Sequence, residues 1–136
     1  AIFGRNQLLR LDENNLLRTR NQQIFLESLD TKKYRTDFRV EGSSNYAFNL
    51  ILREPNQDFT ERLMQRMREE KIEFRRGSAG GGNQLRQPYL REIFGDIYEN
   101  YPHVDHIHFH GFYIGNFPSL DPQTIVQLCK ILNSVF

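Results

Sequence analysis

Residues 74–88 read FRRGSAGGGNQLRQP, and residues 108–116, after a predicted helix, read HFHGFYIGN. In the first stretch two adjacent arginines, Arg75 and Arg76, lead into a loop with almost no side chains. Glycine permits a positive φ and lets a ligand approach the main chain closely, and arginine offers a fork of donors that suits phosphate and carboxylate. From Arg75 to Arg91 there are four arginines and no aspartate or glutamate. The stretch therefore predicts an uncompensated cationic loop that binds an anion.

The spacing of the glycines excludes two well-known phosphate-binding loops. No Gly-Lys-Ser/Thr follows them, so the pattern is not a P-loop, and the spacing does not match the dinucleotide fingerprint. A flexible loop without a ligand remains the alternative, because glycine-rich segments behave as flexible coil. The amides of Asn83, Gln84 and Gln87 favour a ligand, since such side chains make paired hydrogen bonds to bases, sugars and peptide groups.

Outward from this loop, apolar patterns and turn signals predict helices that alternate with short strands. The predicted helices cover residues 6–29, 58–71 and 88–101 and a last segment from 122, and the predicted strands cover residues 36–40, 46–52, 72–76 and 107–114. The alternation lacks the long regularity of a doubly wound fold. We therefore expect an α+β domain of two layers, a small and mostly antiparallel sheet with helices packed on one side.

Two helix starts carry capping signals. Asp121 followed by Pro122 is an N-cap with proline at the first helical position, and Asp58 or Thr60 can cap the helix before the glycine loop. The apolar face of the last helix has five members: Ile125, Leu128, Cys129, Leu132 and Phe136.

The first predicted helix carries apolar side chains on two separate arcs of its surface. At about 100° per residue, one arc holds Leu8, Leu11, Phe25, Leu26 and Leu29, and the other holds Leu9, Leu16, Leu17 and Ile24. A single helix of this kind needs apolar contact on two sides, which indicates a missing partner. The alternative is two helices that break near Asn14 and Asn15.

Length and composition narrow the class of protein. The 136 residues form one domain, 1–136, and the formal net charge of +1 gives no global field that would attract nucleic acid or an anionic membrane. No apolar run approaches the roughly 20 residues that a membrane span needs.

The single Cys129 favours a reducing compartment, so we expect a cytoplasmic protein. Because the chain begins with Ala1 rather than methionine, we expect it to be a piece of a longer protein.

Four histidines lie between residues 103 and 110. On the predicted strand His106, His108 and His110 point the same way, and imidazoles so placed can bind zinc. Only Asp105 lies nearby, and on a strand it points to the opposite face. We therefore favour a polar sheet edge whose imidazoles bond to backbone or to a partner, one of them touching a ligand, and we predict no metal site.

The sequence gives little support for nucleophilic catalysis. There is no Gly-x-Ser-x-Gly elbow, and Cys129 is predicted to be a packing residue because a free cysteine behaves as a small hydrophobe. The chain thus offers no candidate catalytic residue of its own.

Four blocks together resemble the C-terminal part of the DegT/StrS-type nucleotide-sugar aminotransferases and dehydratases. They are GRNQL at 4–8, GSSNYAFN at 42–49, RGSAGGGNQLRQPYL at 76–90 and HFHGFYIGN at 108–116. The resemblance covers essentially the whole chain. Its glycine block is most similar to enzymes of the GDP-4-keto-6-deoxymannose 3-dehydratase kind.

This resemblance implies the small C-terminal domain of a fold type I, aspartate aminotransferase-like enzyme. In such an enzyme a large domain binds pyridoxal or pyridoxamine phosphate (PLP/PMP), active sites form at the interface of a homodimer, and the substrate is a nucleotide-linked 4-keto-6-deoxy sugar, often destined for the O-antigen of lipopolysaccharide. The cofactor lysine, or the histidine that replaces it in the dehydratases, belongs to the large domain. None of Lys32, Lys33, Lys71 or Lys130 sits in a similar motif, so the isolated chain is expected to hold no cofactor and to be inactive.

The resemblance and the loop chemistry together assign the candidate substrate contacts. These are Arg75, Arg76, Asn83, Gln84 and Arg86, with His108 or His110 facing the cleft. The rival hypothesis is a stand-alone, non-catalytic module that binds an anionic ligand, and a metal hydrolase is a distant third.

Overall fold

A computed structural model describes residues 2–79 and 82–136, with the backbone alone at residues 2 and 3. The described helices are α1 (Ile2–Leu8), α2 (Leu11–Ser28), α3 (Gln57–Glu69), α4 (Pro88–Phe94), α5 (Pro102–His110) and α6 (Pro122–Asn133). The described strands are β1 (Ala47–Ile51), β2 (Arg75–Arg76) and β3 (Gly111–Gly115), and 3₁₀ turns lie at Gln84–Arg86 and Ile97–Asn100. None of the described helices combines the length and the apolar character that crossing a membrane requires.

The three strands form one antiparallel sheet in the order β1-β3-β2. Phe48 of β1 is opposite Ile114 of β3, and Arg76 of β2 is opposite Phe112 on the other side of β3. Strand β3 is therefore central, and it joins the two sequence blocks that carry the candidate site. The predicted α+β class with a small antiparallel sheet is confirmed.

The core lies between this sheet and a layer of helices. Phe25 of α2 stacks on Phe48 with ring centroids 4.5 Å apart, and the Tyr34 hydroxyl donates to the Leu132 carbonyl at 2.6 Å. Burying one such side chain stabilises the fold by about 1.5–3 kcal/mol. The apolar core is contiguous and draws mainly on α2, β1, α3, β3 and α6: Phe25, Leu29, Tyr34, Phe48, Leu50, Leu52, Leu63, Met64, Met67, Phe112, Ile114, Ile125, Cys129, Leu132 and Val135.

Cys129 has the packing role expected of it. Its thiol is buried against the Phe25 carbonyl, with Sγ 3.6 Å from the oxygen. Burial raises the pKa of this thiol to about 12, so it is neutral and unreactive in the folded chain.

The helix starts agree only partly with the capping signals. Asp121 caps α6 as predicted, accepting a hydrogen bond from the Gln123 amide. The cap of α3 is Asn56, whose Oδ1 accepts from the Phe59 amide at 2.9 Å, so the prediction of Asp58 or Thr60 is wrong. Phe136 lies beyond the end of α6 and is 87% exposed, so it does not belong to the apolar face.

Residues 36–40 do not form the predicted strand. Their burial alternates between exposed and half-buried, as the sequence pattern indicates. The only described pairing beside β1 at this edge is an isolated bridge from Tyr34 to Leu52. The last described backbone hydrogen bond from this segment to β1 runs from the Arg35 amide to the Ile51 carbonyl at 2.9 Å, so residues 36–40 lack the ladder of a strand.

The first predicted helix is two helices, α1 and α2, which separate at Leu9 and Arg10 and not near Asn14. The predicted helix at 88–101 is also divided, since Gly95 with φ of +66° ends α4. Such a backbone conformation is readily available only to glycine.

The predicted strand at 107–114 is wrong in its first half. Pro102 starts α5, which continues to His110, and β3 begins only at Gly111. At Gly111 the backbone passes so close to α5 that an added Cβ would lie 2.5 Å from the Ile107 carbonyl oxygen. The histidines therefore lie on a helix, where residues two apart point in different directions.

Candidate ligand-binding site

The glycine loop leaves β2 in direct contact with α5. The Gly77 amide donates to the Gly111 carbonyl at 2.6 Å, and a Cβ at Gly77 would overlap the Ile107 carbonyl. Only a glycine lets the loop start this close to the helix. Gly80 and Gly81, the centre of the predicted flexible loop, lie outside the described residues.

Beyond the glycines, four polar side chains form what we call the loop cluster: Asn83, Arg86, Asp105 and His108. Arg86 binds Asp105 with two parallel hydrogen bonds of 2.7 Å each, and the Asn83 side-chain amide donates to the same carboxylate at 2.7 Å. These hydrogen bonds, first that of Arg86, lower the pKa of Asp105. The turn at 82–86 is thus attached to α5 through one carboxylate.

Two aromatic rings complete the environment of Arg86. Its guanidinium lies 4.1 Å from the ring centroid of Tyr98 and 4.9 Å from that of Phe109, within the range of a cation–π contact. The loop is therefore not the uncompensated cationic loop that was predicted, since Arg91 is also paired, with Asp96 at 2.6 Å.

His108 accepts a hydrogen bond from the turn. The Asn83 backbone amide donates to its Nδ1 at 3.0 Å, so the neutral ring carries its proton on Nε2. Burial is the first cause of a lowered pKa at His108, with Arg86 and Arg76 acting in the same direction and Asp105 opposing them. The ring is neutral at pH 7.

His110 occupies a different place from His108. It is buried and hydrogen-bonded through Nδ1 to the Thr60 hydroxyl at 2.9 Å, and burial lowers its pKa. His106 contacts the Leu52 carbonyl through Nε2 at 2.6 Å. The two rings share one side of α5, so the polar sheet edge that was predicted is a helix face packed on the core. In the described residues no group of three or more metal-binding side chains is close enough to hold an ion.

The two adjacent arginines diverge. Arg76 lies beside α5, with a long contact of 3.5 Å from its guanidinium to the Phe109 carbonyl. Arg75 is exposed and lines a separate hollow of about 370 Å³ together with Glu73, Tyr113 and Phe117. Successive side chains of a strand point to opposite sides of a sheet, so the two arginines of β2 have different surroundings.

The structure thus brings together Arg76, Asn83, Arg86 and His108, while Arg75 lies in the neighbouring hollow and His110 in the core. Gln84 is exposed at the end of the cluster, where its Oε1 accepts from the Tyr89 hydroxyl at 3.1 Å.

Asp105 and Tyr98 are members of the site that the sequence reasoning missed. Asp105 lies three residues before His108, a spacing that places both on one face of a helix. Reading the segment as a strand put them on opposite faces and hid this relation.

A second surface has the properties of an interface. Leu8, Leu9 and Leu16 of α1 and α2 are 69%, 81% and 72% exposed. A hollow of about 470 Å³ with mostly apolar walls lies between α6 and the sheet, lined in part by Phe117 and Leu128. The predicted single helix with two apolar arcs is two helices, and leucines of both arcs are exposed.

Three solved structures share this fold. The GDP-4-keto-6-deoxy-D-mannose-3-dehydratase of E. coli with bound hydrated PLP matches with a TM-score of 0.80 and 21% identity, over 95% of this chain and 33% of that chain. A GDP-4-keto-6-deoxymannose-3-dehydratase variant with bound GDP-perosamine matches with a TM-score of 0.78 and 21% identity over the same shares. A protein of Streptococcus pneumoniae assigned as a sugar aminotransferase, in its PMP form, matches with a TM-score of 0.78 and 12% identity, over 97% of this chain and 33% of that chain.

No protein-family model and no curated protein matches the chain. The chain spans about a third of the length of the solved structures that it matches. At these identities the likeness concerns the fold. The chain therefore has the fold of a small domain of fold type I PLP enzymes, and the resemblance noted in its sequence is confirmed at that level.

Proposed function

We propose that this chain is the small C-terminal domain of a PLP/PMP-dependent nucleotide-sugar enzyme, a 3-dehydratase or a 4-aminotransferase acting on a GDP-4-keto-6-deoxy sugar. The observation that carries the proposal is the match of 95% of the chain to one third of a GDP-4-keto-6-deoxy-D-mannose-3-dehydratase at a TM-score of 0.80. The four sequence blocks, which lie in the order expected of such enzymes, support it independently.

The described residues do not fit the cofactor by themselves. Lys33 donates through Nζ to the carbonyls of Asn133 and Val135 at 2.6 and 2.9 Å, and it contacts Asp30 at 3.8 Å. Lys32, Lys71 and Lys130 are exposed. No lysine of the described part contacts the loop cluster, so we assign the cofactor and the reacting groups to a large domain outside this chain.

The role left to this domain is to close the site and to hold the sugar nucleotide. Arg75 and Arg76 are the candidate anion contacts, because the described ion pairs include neither of them, and we expect one of the two to reach the substrate. Asn83, Gln84 and Arg86 lie in a turn that Asp105 holds against α5, with His108 beside it. A turn held in this way is oriented before the substrate binds, which lowers the entropic cost of binding.

The leucines of α1 and α2 and the apolar hollow beside α6 supply the contact with the rest of the enzyme. Exposed apolar patches of this sort mark protein interfaces. We assign them to the large domain and to the second subunit of a homodimer, in a cytoplasmic enzyme of O-antigen sugar synthesis.

The test begins with the gene. Because 95% of 136 residues corresponds to 33% of the dehydratase chain, we expect an open reading frame of about 390 residues that contains this sequence near its end. The full-length product is then incubated with GDP-4-keto-6-deoxymannose, PLP and glutamate, and the product is identified by mass spectrometry.

Loss of the C3 oxygen indicates the dehydratase, and gain of a 4-amino group indicates the aminotransferase. A short reading frame together with anion binding by the chain alone would instead favour the stand-alone binding module. A full-length frame whose product converts no nucleotide-linked 4-keto sugar would overturn the proposal.

A further inference from the structure

We propose that the turn at residues 82–86 is fastened to α5 by a proton-sensitive latch, in which the neutral ring of His108 accepts the Asn83 amide and lets it go when the ring is protonated. The consequence for substrate binding rests on the function proposed above, since Asn83 and Arg86 are assigned there as contacts. The latch itself depends only on the geometry of this chain.

The contact at the latch requires one protonation state. The Asn83 amide donates to Nδ1 of His108 at 3.0 Å, and a neutral imidazole has a single acceptor nitrogen. In the imidazolium both nitrogens carry a proton, so the amide then faces another donor. The hydrogen bond is replaced by a repulsive contact.

Little space is available to relieve that contact. Gly82 has φ of +56°, and a Cβ there would overlap the His108 ring. The turn thus lies directly against the ring, and the Asn83 side chain is buried. A protonated ring is accommodated most readily if the turn moves away from α5.

Three charged groups face the ring from the elements around it. Arg86 of the 3₁₀ turn and Arg76 of β2 disfavour the imidazolium, and Asp105 of α5 favours it. Asp105 is already bound to both Arg86 and Asn83, and its lowered pKa keeps it ionised well below neutral pH. Acid therefore removes only the hydrogen bond from the Asn83 backbone amide to the ring, while Asp105 continues to hold the Arg86 guanidinium and the Asn83 side chain.

The sign of the pH dependence follows from these contacts. The ordinary pKa of histidine is 6.5, and that of His108 is lowered in the folded chain. The unfolded chain therefore takes up the proton at a higher pH. The contribution of the latch to stability is complete above pH 6.5 and falls as the pH drops through the folded pKa.

Amide hydrogen exchange measured by NMR on the chain tests the latch at pH 7.5 and at one pH unit below the midpoint at which the His108 Cε1 shift titrates. After correction for intrinsic exchange, the protection of the Asn83 amide should fall roughly tenfold at the lower pH, as expected for the loss of one hydrogen bond. The Gly77 amide, bonded to the Gly111 carbonyl, serves as an internal reference and should keep its protection.

Two variants separate His108 from the other histidines. In His108→Asn the side-chain oxygen takes about the place of Nδ1 but does not titrate, so Asn83 should stay protected at both pH values. His103→Asn changes an exposed histidine of the same helix and should keep the wild-type response. Should His108→Asn not fold, the Asn83 amide shift and the His108 Cε1 shift are titrated together in the wild-type chain.

The latch would be overturned if the Asn83 amide were equally protected at both pH values. It would also be overturned if His108→Asn lost the protection of Asn83 at low pH as the wild-type chain does, or if the two titration midpoints differed. A common midpoint supports it. No substrate is present in these measurements, so their outcome is independent of the nucleotide-sugar assay.

Discussion

Two buried amides show how single residues hold the site in place. Asn116, immediately after β3, donates through Nδ2 to the carbonyls of Arg18 and Asn45 at 2.9 and 2.7 Å. Its Oδ1 accepts from Asn21 of α2 at 3.2 Å, and Asn21 also reaches the Phe117 carbonyl at 3.0 Å. The end of the central strand is therefore fixed to α2 by hydrogen bonds of two buried side-chain amides.

Asn116→Ala should lower the free energy of unfolding by about 2–4 kcal/mol. The substitution removes three hydrogen bonds from a buried place, although Asn21 keeps its bond to the Phe117 carbonyl. Each group left without a partner costs about 1–3 kcal/mol, with partial relief by rearrangement. Urea denaturation followed by circular dichroism measures the change. Asn49→Ala, on the exposed side of β1, should change stability by less than about 0.5 kcal/mol. Equal effects of the two substitutions would contradict the assigned role of Asn116.

The sequence analysis identified three of the four residues of the loop cluster, but not the contacts between them. Asn83, Arg86 and His108 were all predicted as site residues, and the structure places them together. Their common partner, Asp105, is 19 residues from Arg86. A local pattern carries no signal for such a pair, because only the packing of the turn on α5 brings the two charges within reach.

Among the elements, β1 and α6 could be predicted because each has a local signal that tertiary structure does not override. The alternation of β1 and the Asp121-Pro122 start of α6 are of this kind. The prediction at 102–115 was wrong in its first half. Histidines at alternate positions have the period of a strand, but they lie on the helix α5. Its boundary is set by the close approach of Gly111 to Ile107, a tertiary contact that a sequence window does not contain.

Because the loop after β2 lies directly against α5, we expect Gly77 to be sensitive to substitution. Gly77→Ala places a Cβ on the Ile107 carbonyl, and because a backbone atom cannot yield as a side chain does, the loop should separate from α5. We expect a loss of about 1–3 kcal/mol in unfolding free energy, the usual cost of overpacking, together with chemical-shift changes at Gly111.

Gly4→Ala is the matched control, since a Cβ at that position meets nothing within 4 Å. On a helix this change should be neutral or stabilising by up to about 1 kcal/mol. A stable Gly77→Ala chain with unchanged shifts at Gly111 would show that the loop does not depend on this contact.

For the whole molecule, the exposed apolar surface and the positions of the described lysines support the same proposal. The leucines of α1 and α2 are exposed and the hollow beside α6 is mostly apolar, and no described lysine contacts the loop cluster. This distribution is what we expect of a domain that contributes contacts to a site whose chemistry lies in a large domain.

The isolated chain should therefore not retain pyridoxal phosphate. It is mixed with the cofactor at near-stoichiometric concentration, desalted, and examined by its visible spectrum, and we expect no retained band. Free lysines react transiently, so borohydride reduction before desalting should label several of them weakly. A retained band that borohydride fixes to one specific lysine would show that the chain holds a cofactor site of its own.

In the full-length enzyme proposed above, we expect the two adjacent arginines to differ in their effect on substrate binding. Arg75 and Arg76 point into different surroundings, the hollow beside Tyr113 and the side of α5, so only one of them is expected to meet the substrate phosphates. A hydrogen bond to a charged group is worth about 1.5–3 kcal/mol. Accordingly, either Arg75→Ala or Arg76→Ala should raise the KM for the nucleotide sugar about ten- to hundredfold, while cofactor affinity changes by no more than a few fold. The control is Arg39→Ala, which changes an arginine at an exposed position within residues 36–40. It should leave KM unchanged. Steady-state kinetics decide the matter: if both variants keep the wild-type constants, the loop serves as a linker and the substrate contacts lie elsewhere, even when the enzyme turns over a nucleotide sugar.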